Sequence, residues 1–168
     1  MKKLCIIRHA KSSWDEEHLL DFDRPLSKRG KNDAPFMGKV LKEKVIHPDI
    51  ILSSPAKRAR KTALAIAAEV NFEKAITFEP SIYEADAKTL LALLTSLHKK
   101  YNTVFLVGHN PSLNDLAAHF LEFNENIVTC GIVEIDFTCK KWSDINPLNA
   151  RLVSFIYPKQ FRHPPCSM

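Results

Sequence analysis

The chain has no cysteine pair at metal-binding or redox spacing. Its four cysteines, Cys5, Cys130, Cys139 and Cys166, lie far apart with no C-x-x-C pattern, which argues against a zinc site and a disulfide framework and leaves Cys5 as core filling. Long apolar runs are also missing. After Lys2 and Lys3 the apolar stretch is only Leu4 to Ile7, too short for the core of a secretory signal, and nothing approaches the ~18 apolar residues of a membrane helix. A cytoplasmic protein without membrane association is therefore expected. There are no internal repeats or low-complexity segments. The formal charge of +5 is compatible with nucleic acid, an acidic partner or a soluble surface with spare lysines, but the basic residues are interrupted and carry no interleaved aromatics, so nucleic acid is not expected as a partner. What is there is ordinary for a globular protein: 168 residues and 45% hydrophobic content, enough for one domain over residues 1–168 with a real core, expected as a monomer, with a loosely held tail over roughly 158–168.

The apolar and polar patterns alternate between short strands and helices. Leu4-Cys5-Ile6-Ile7 reads as a buried strand that delivers Arg8 and His9 to a sheet edge, a position that suits chemistry and equally suits a solvated strand cap. Ser13 to Arg24 reads as a loop beside that edge. Ser27 is a candidate N-cap for a helix carrying Ala34, Met37, Val40 and Leu41, in which Pro35 either introduces a kink or marks the true start. Asp49 to Ser53 reads as a second strand, with Ser54-Pro55 as N-cap and first residue of the next helix. That helix opens with Lys57, Arg58, Arg60 and Lys61, four cations at the end where the helix dipole favours anions; side chains bent into solvent would account for most of them, and one arginine held inward would suffice for an anion site. Ala75 to Phe78 reads as a third strand, followed by a helix capped by Asp86. Thr103 to Val107 is the clearest buried strand and ends in Gly108-His109-Asn110-Pro111, with a helix starting at once through Ser112 and Asp115 at capping-box spacing. Ile132 to Phe137 and Leu152 to Ile156 read as a final antiparallel pair.

Arg8-His9, Arg58 and His109 all fall at strand-to-helix junctions, which share one edge in a mostly parallel sheet and can converge there. Two histidines and two arginines, without a carboxylate ligand cluster, make a poor metal site and a good site for a tetrahedral phosphoryl group, so no metal is expected. One neutral imidazole can attack phosphorus while the arginines neutralise its oxygens.

The stretch Leu4 to Ser12 resembles the R-H-G/A signature of the histidine phosphatase superfamily, also called phosphoglycerate mutase-like. Supporting motifs are Arg24-Pro25-Leu26-Ser27-Lys28-Arg29-Gly30, Ser53-Ser54-Pro55-Ala56-Lys57-Arg58-Ala59 and Val107-Gly108-His109-Asn110-Pro111, and together they resemble most the SixA branch of phosphohistidine phosphatases. The resemblance implies an α/β/α three-layer sandwich with a mostly parallel sheet and an antiparallel strand near the C-terminus, and a two-step hydrolysis through a phosphohistidine on His9 without metal or organic cofactor. It implies Arg8 and Arg58 as phosphoryl ligands and His109 as a stabiliser of the transferring group. Lys11, Ser12 and Asn110 are further candidates for the phosphate pocket. Arg24 or Arg29 are candidates to guide substrate, with surface charge as the competing explanation. Glu84 is a candidate general acid for an ester substrate, or an exposed loop glutamate. The partner implied is a protein carrying phosphohistidine; a small phosphate ester and a non-catalytic phosphate-recognition role are the alternatives.

Overall fold

The computed structural model describes residues 1–162. Its frame is a six-stranded sheet in the order β3-β2-β4-β1-β5-β6. The strands are β1 (Lys2–Arg8), β2 (Ile50–Ser53), β3 (Thr77–Phe78), β4 (Thr103–Gly108), β5 (Ile132–Phe137) and β6 (Ala150–Ile156). β1 pairs in parallel with β4, β4 with β2 and β2 with β3, while β5 runs antiparallel to both β1 and β6. The four parallel strands are joined by helical connections; β5 runs opposite to them although a helix also precedes it, and β6 reverses again after a connection that holds only a single 3-10 turn.

Because successive strand residues point to opposite faces, β1 feeds two cores. Cys5 and Ile7 pack with Ile51, Phe105 and Val107 against α1 (Lys28–Glu43) and α2 (Lys57–Glu69). Leu4 and Ile6 pack with Leu52, Val104 and Leu106 against α3 (Ala87–Thr95) and α4 (Ser112–Phe120) on the other face. A central strand buried on both faces reads as a continuous apolar run, as Leu4 to Ile7 and Val104 to Val107 do. The result is an α/β/α sandwich.

Helix ends show where local signals hold and where they fail. Ser27 caps α1 by accepting from the Gly30 amide, and Asp86 caps α3 by accepting from the Thr89 amide. Pro35 lies inside α1 and does not mark its start. Two helix starts differ from the sequence expectation. α2 begins at Lys57 after Ala56, three residues beyond Ser54, whose oxygen accepts the Ala56 amide in the turn ahead of the helix and not an amide of its first turn. α4 includes Ser112, whose hydroxyl donates back to the His109 carbonyl, so the start is held by Asn110 Oδ1 accepting from the Asn114 amide at 3.2 Å. Both α1 and α2 end in a left-handed residue with the paired hydrogen bonds of a Schellman motif: Ile46 to Leu41 and Val45 to Lys42, then Phe72 to Ala67 and Asn71 to Ala68. At the far end of the chain, α5 (Lys159–Arg162) sets the Arg162 guanidinium against buried Asp33 of α1. The remainder of the expected tail, residues 163–168, lies outside the described residues.

Candidate active site

Arg8 and Gly108 are partners across the β1–β4 ladder, so the next residues, His9 and His109, emerge side by side where the two strands end. The His9 amide donates to the Gly108 carbonyl at 3.1 Å, and the imidazole centroids stand 5.1 Å apart with planes at 53°. Both rings are buried. His9 Nδ1 lies 2.7 Å from the Ala10 carbonyl oxygen, which can only accept, so Nδ1 carries the hydrogen and Nε2 presents its lone pair. Burial pushes the His9 pKa down to about 3, with His109, Arg58 and Arg8 adding to the effect, and burial with Arg58 pushes His109 down to about 4. Both imidazoles are therefore neutral at physiological pH, and the His9 Nε2 lone pair is available without a base to expose it.

The two arginines approach from different elements. Arg8 gives one guanidinium nitrogen to the Ile127 carbonyl at 3.1 Å, and the Asn110 amide side chain donates to the same oxygen at 2.9 Å. Burial, then the neighbouring Arg58 charge, lowers the Arg8 pKa. Arg58, in the first turn of α2, is the inward arginine of its basic run, while Arg60 and Lys61 are exposed. Its guanidinium donates to the Asp21 backbone oxygen at 2.7 Å and to Asp21 Oδ2 at 3.0 Å. Thr62 ties the two sides together: its hydroxyl accepts from the Ala10 amide at 2.9 Å and donates to the Arg58 carbonyl at 2.7 Å. Among the described residues three buried nitrogens in this cluster have no partner, namely Arg8 Nε, Arg58 Nε and His109 Nδ1. Buried donors are seldom left unpaired, and their convergence on one strand edge makes a cradle for an anion with several oxygens.

The loop from Ser13 to Arg24 closes over that cradle. Its base is pinched by a bridge between Ser12 and Leu26 and by the Ser13 amide on the Pro25 carbonyl. Arg24 is buried and committed: it donates to Ser12 Oγ at 2.6 Å, to the Ser13 carbonyl at 3.2 Å and to Asp21 Oδ1 at 3.1 Å, and it lies over the Trp14 ring. Asp21 also accepts from the Tyr83 hydroxyl at 2.7 Å. Burial alone would raise the Asp21 pKa, but hydrogen bonds from Tyr83, Arg58 and Arg24 outweigh it and hold the carboxyl at about 2. Tyr83 moves the other way, up to about 12, through burial and its bond to Asp21. The Tyr83 ring stands edge-on to both His109 and Phe22.

His9, Arg8, Arg58 and His109 are thus brought together, with Ser12, Arg24 and Asn110 holding their surroundings. The Lys11 side chain is exposed, although its carbonyl receives the Ser27 amide and hydroxyl. Glu84 is exposed and shares no hydrogen bond with the cluster; its neighbour Tyr83 is the residue that faces inward. Arg29 points away, to Thr129 and Asp33. Sequence reasoning missed Asp21, Tyr83, Ser54 and Thr62. For Asp21 a signal existed: two arginines gathered in a buried cluster call for a nearby anion, and Asp21 and Asp23 stand just before Arg24 in the adjoining loop.

The sandwich is that of phosphoglycerate mutase-like proteins. The sequence profile of the histidine phosphatase superfamily (branch 1) matches residues 4–95, and the chain belongs to that superfamily. An uncharacterized chloroplastic protein of Arabidopsis thaliana is 32% identical over 152 residues, 85% of this chain and 70% of that one. The structure of SixA from Agrobacterium tumefaciens superposes with a TM-score of 0.79 at 28% identity, covering 94% of this chain and 98% of that one. Phosphoserine phosphatase 1 of Hydrogenobacter thermophilus is 42% identical over 90 residues, 51% of this chain and 40% of that one.

Proposed function

We propose that the chain is a phosphatase that removes phosphate from phosphohistidine on a protein. His9 Nε2 attacks phosphorus, the bond from phosphorus to the substrate nitrogen breaks, and water then attacks the His9 phosphoramidate to release inorganic phosphate and restore the neutral imidazole. Arg8, Arg58 and His109 hold the phosphoryl oxygens through both steps. The observation that carries this reading is the clustering of two buried imidazoles with Arg8 and Arg58, in which Arg8 Nε, Arg58 Nε and His109 Nδ1 have no hydrogen-bond partner among the described residues and His9 Nδ1 is held by the Ala10 carbonyl.

The choice of substrate rests on the absence of a ready proton donor among the described residues of the cleft. Asp21 is held ionised and Tyr83 already donates to it, while Glu84 sits on the surface. An ester leaves as an alkoxide and needs an acid. A phosphohistidine whose second ring nitrogen is protonated leaves as a neutral imidazole and needs none. Exposed Trp14, Leu20 and Phe22 on the covering loop supply an apolar rim suited to a protein surface. The similar SixA protein of Agrobacterium tumefaciens is described as a candidate phosphohistidine phosphatase, in keeping with this reading. The likeness to a phosphoserine phosphatase over half the chain supports the second reading, an ester phosphatase with Glu84 as acid.

The test is phosphate release, with a chelator present, from a histidine-phosphorylated protein and from an aryl phosphate. Wild type and Glu84→Gln are expected to turn over the phosphoprotein alike, and His9→Ala to turn over nothing while keeping its fold. Cleavage of the ester alone, abolished by Glu84→Gln, would establish the second reading instead.

A further inference from the structure

Ser54 follows β2 directly and is fully buried. Its Oγ lies 2.8 Å from His109 Nε2 and accepts the Ala56 amide at 3.2 Å. Among the described residues no acceptor other than His109 Nε2 is bonded to this hydroxyl. A buried hydroxyl hydrogen without an acceptor is costly, so the hydroxyl donates to His109 and Nε2 supplies the lone pair. A neutral imidazole carries one ring hydrogen, which must then sit on Nδ1, the buried nitrogen with no partner among the described residues. Neutrality is favoured by burial and by Arg58, which push the His109 pKa down to about 4.

We propose that Ser54 is a positioning residue that locks His109 in its Nδ1–H tautomer, so that an uncharged imidazole donates a hydrogen bond to an oxygen of the phosphoryl group being transferred to His9. The proposal rests on the reading of His109 as a phosphoryl ligand. Without the lock, the ring is free to place a lone pair toward phosphoryl oxygens that already carry negative charge. That contact repels, and no protonation of His109 rescues it at neutral pH. Ser54 thus acts through His109 and touches no reacting atom.

The two imidazole nitrogens differ in ¹⁵N shift according to which one is protonated, so the tautomer is read directly from ¹H–¹⁵N spectra of histidine-labelled protein at neutral pH, with His109→Gln to assign the signals. The wild type is expected to show a protonated Nδ1 and an unprotonated Nε2 on His109, with and without inorganic phosphate. Ser54→Ala is expected to lose that pattern and to lower kcat about tenfold, equivalent to about 1.4 kcal/mol in the barrier, with KM little changed. Ser54→Thr, which keeps the hydroxyl, is expected to restore both. A protonated Nε2 in the wild type, or an unchanged tautomer in Ser54→Ala, overturns the lock. Wild type that shows the expected tautomer yet turns over no phosphorylated substrate overturns the catalytic role, and with it the functional reading, while leaving the lock standing.

Discussion

Acid should unfold this protein partly through buried His9. In the unfolded chain His9 titrates near the ordinary value of 6.5, whereas in the fold burial holds it at about 3. As pH falls below 6.5 the unfolded state takes up a proton that the folded state refuses, so stability that is complete above pH 6.5 drains away as pH descends toward the folded value. Linkage gives the slope as 2.303RT per proton of difference, which between pH 7 and pH 5 integrates to about 2 kcal/mol for one such histidine. This figure barely depends on the folded value, because anything below about 4 leaves His9 unprotonated throughout that interval. His109, at about 4, contributes a similar amount. Urea unfolding of the wild type, His9→Gln and His109→Gln at the two pH values, followed by fluorescence of buried Trp142, isolates each term, since the other titrating groups cancel in the comparison. Each variant should lose about 2 kcal/mol less than the wild type between pH 7 and pH 5. An equal loss in wild type and His9→Gln would mean that His9 is accessible to protons in the fold, and the argument for a permanently neutral nucleophile would fail.

Three further outcomes follow from particular contacts. Val45 occupies the left-handed residue of the α1 Schellman motif with φ of 59° while its side chain is largely exposed, so Val45→Gly should stabilise the protein by about 1 kcal/mol and raise Tm by about 2–4 °C, measured by thermal unfolding. A Cβ on Gly30 would stand 2.1 Å from the Lys11 carbonyl oxygen, so Gly30→Ala should push α1 off the segment that follows His9, costing about 1–3 kcal/mol in urea unfolding and lowering turnover. Asp21 competes with phosphate for Arg58 from a half-exposed position, and a screened pair of that kind is worth about 0.5–1 kcal/mol; Asp21→Asn should tighten inorganic phosphate binding about two- to fivefold by calorimetry, and weaker binding would mean that Asp21 instead orients the arginine.

The sheet and the convergence of Arg8, His9, Arg58 and His109 were legible because their signals are local. Apolar runs such as Leu4 to Ile7 end abruptly in polar side chains, and topology brings the ends of parallel strands to one edge. Even the basic start of α2 was readable as one inward arginine among solvated cations, and Arg58 is that arginine. What failed was the reading of Ser54 as an N-cap. Local chemistry allows a serine before proline to cap a helix, but here the Ser54 oxygen accepts the Ala56 amide in the turn ahead of α2 while its hydroxyl meets His109, 55 residues further on, and no neighbouring residue announces that contact. For Asp21 the loop position beside Arg24 was a signal, but the choice of Asp21 over Asp23 comes from three donors, Arg24, Arg58 and Tyr83, that only the folded chain assembles around it.

The pairing of Arg8 with Gly108 across the β1–β4 ladder has a consequence for how such a protein can change over evolutionary time. Since the separation of the two imidazoles is inherited from hydrogen bonds between main chains, substitution of surface side chains leaves it untouched, whereas a single-residue insertion or deletion within either strand would turn one histidine to the opposite face. The groups that would meet a substrate beyond its phosphorus sit elsewhere, on the covering loop and around Tyr83. Selection can therefore rewrite what is recognised there, by point changes and loop indels, while the bond-breaking apparatus stays fixed by strand parity.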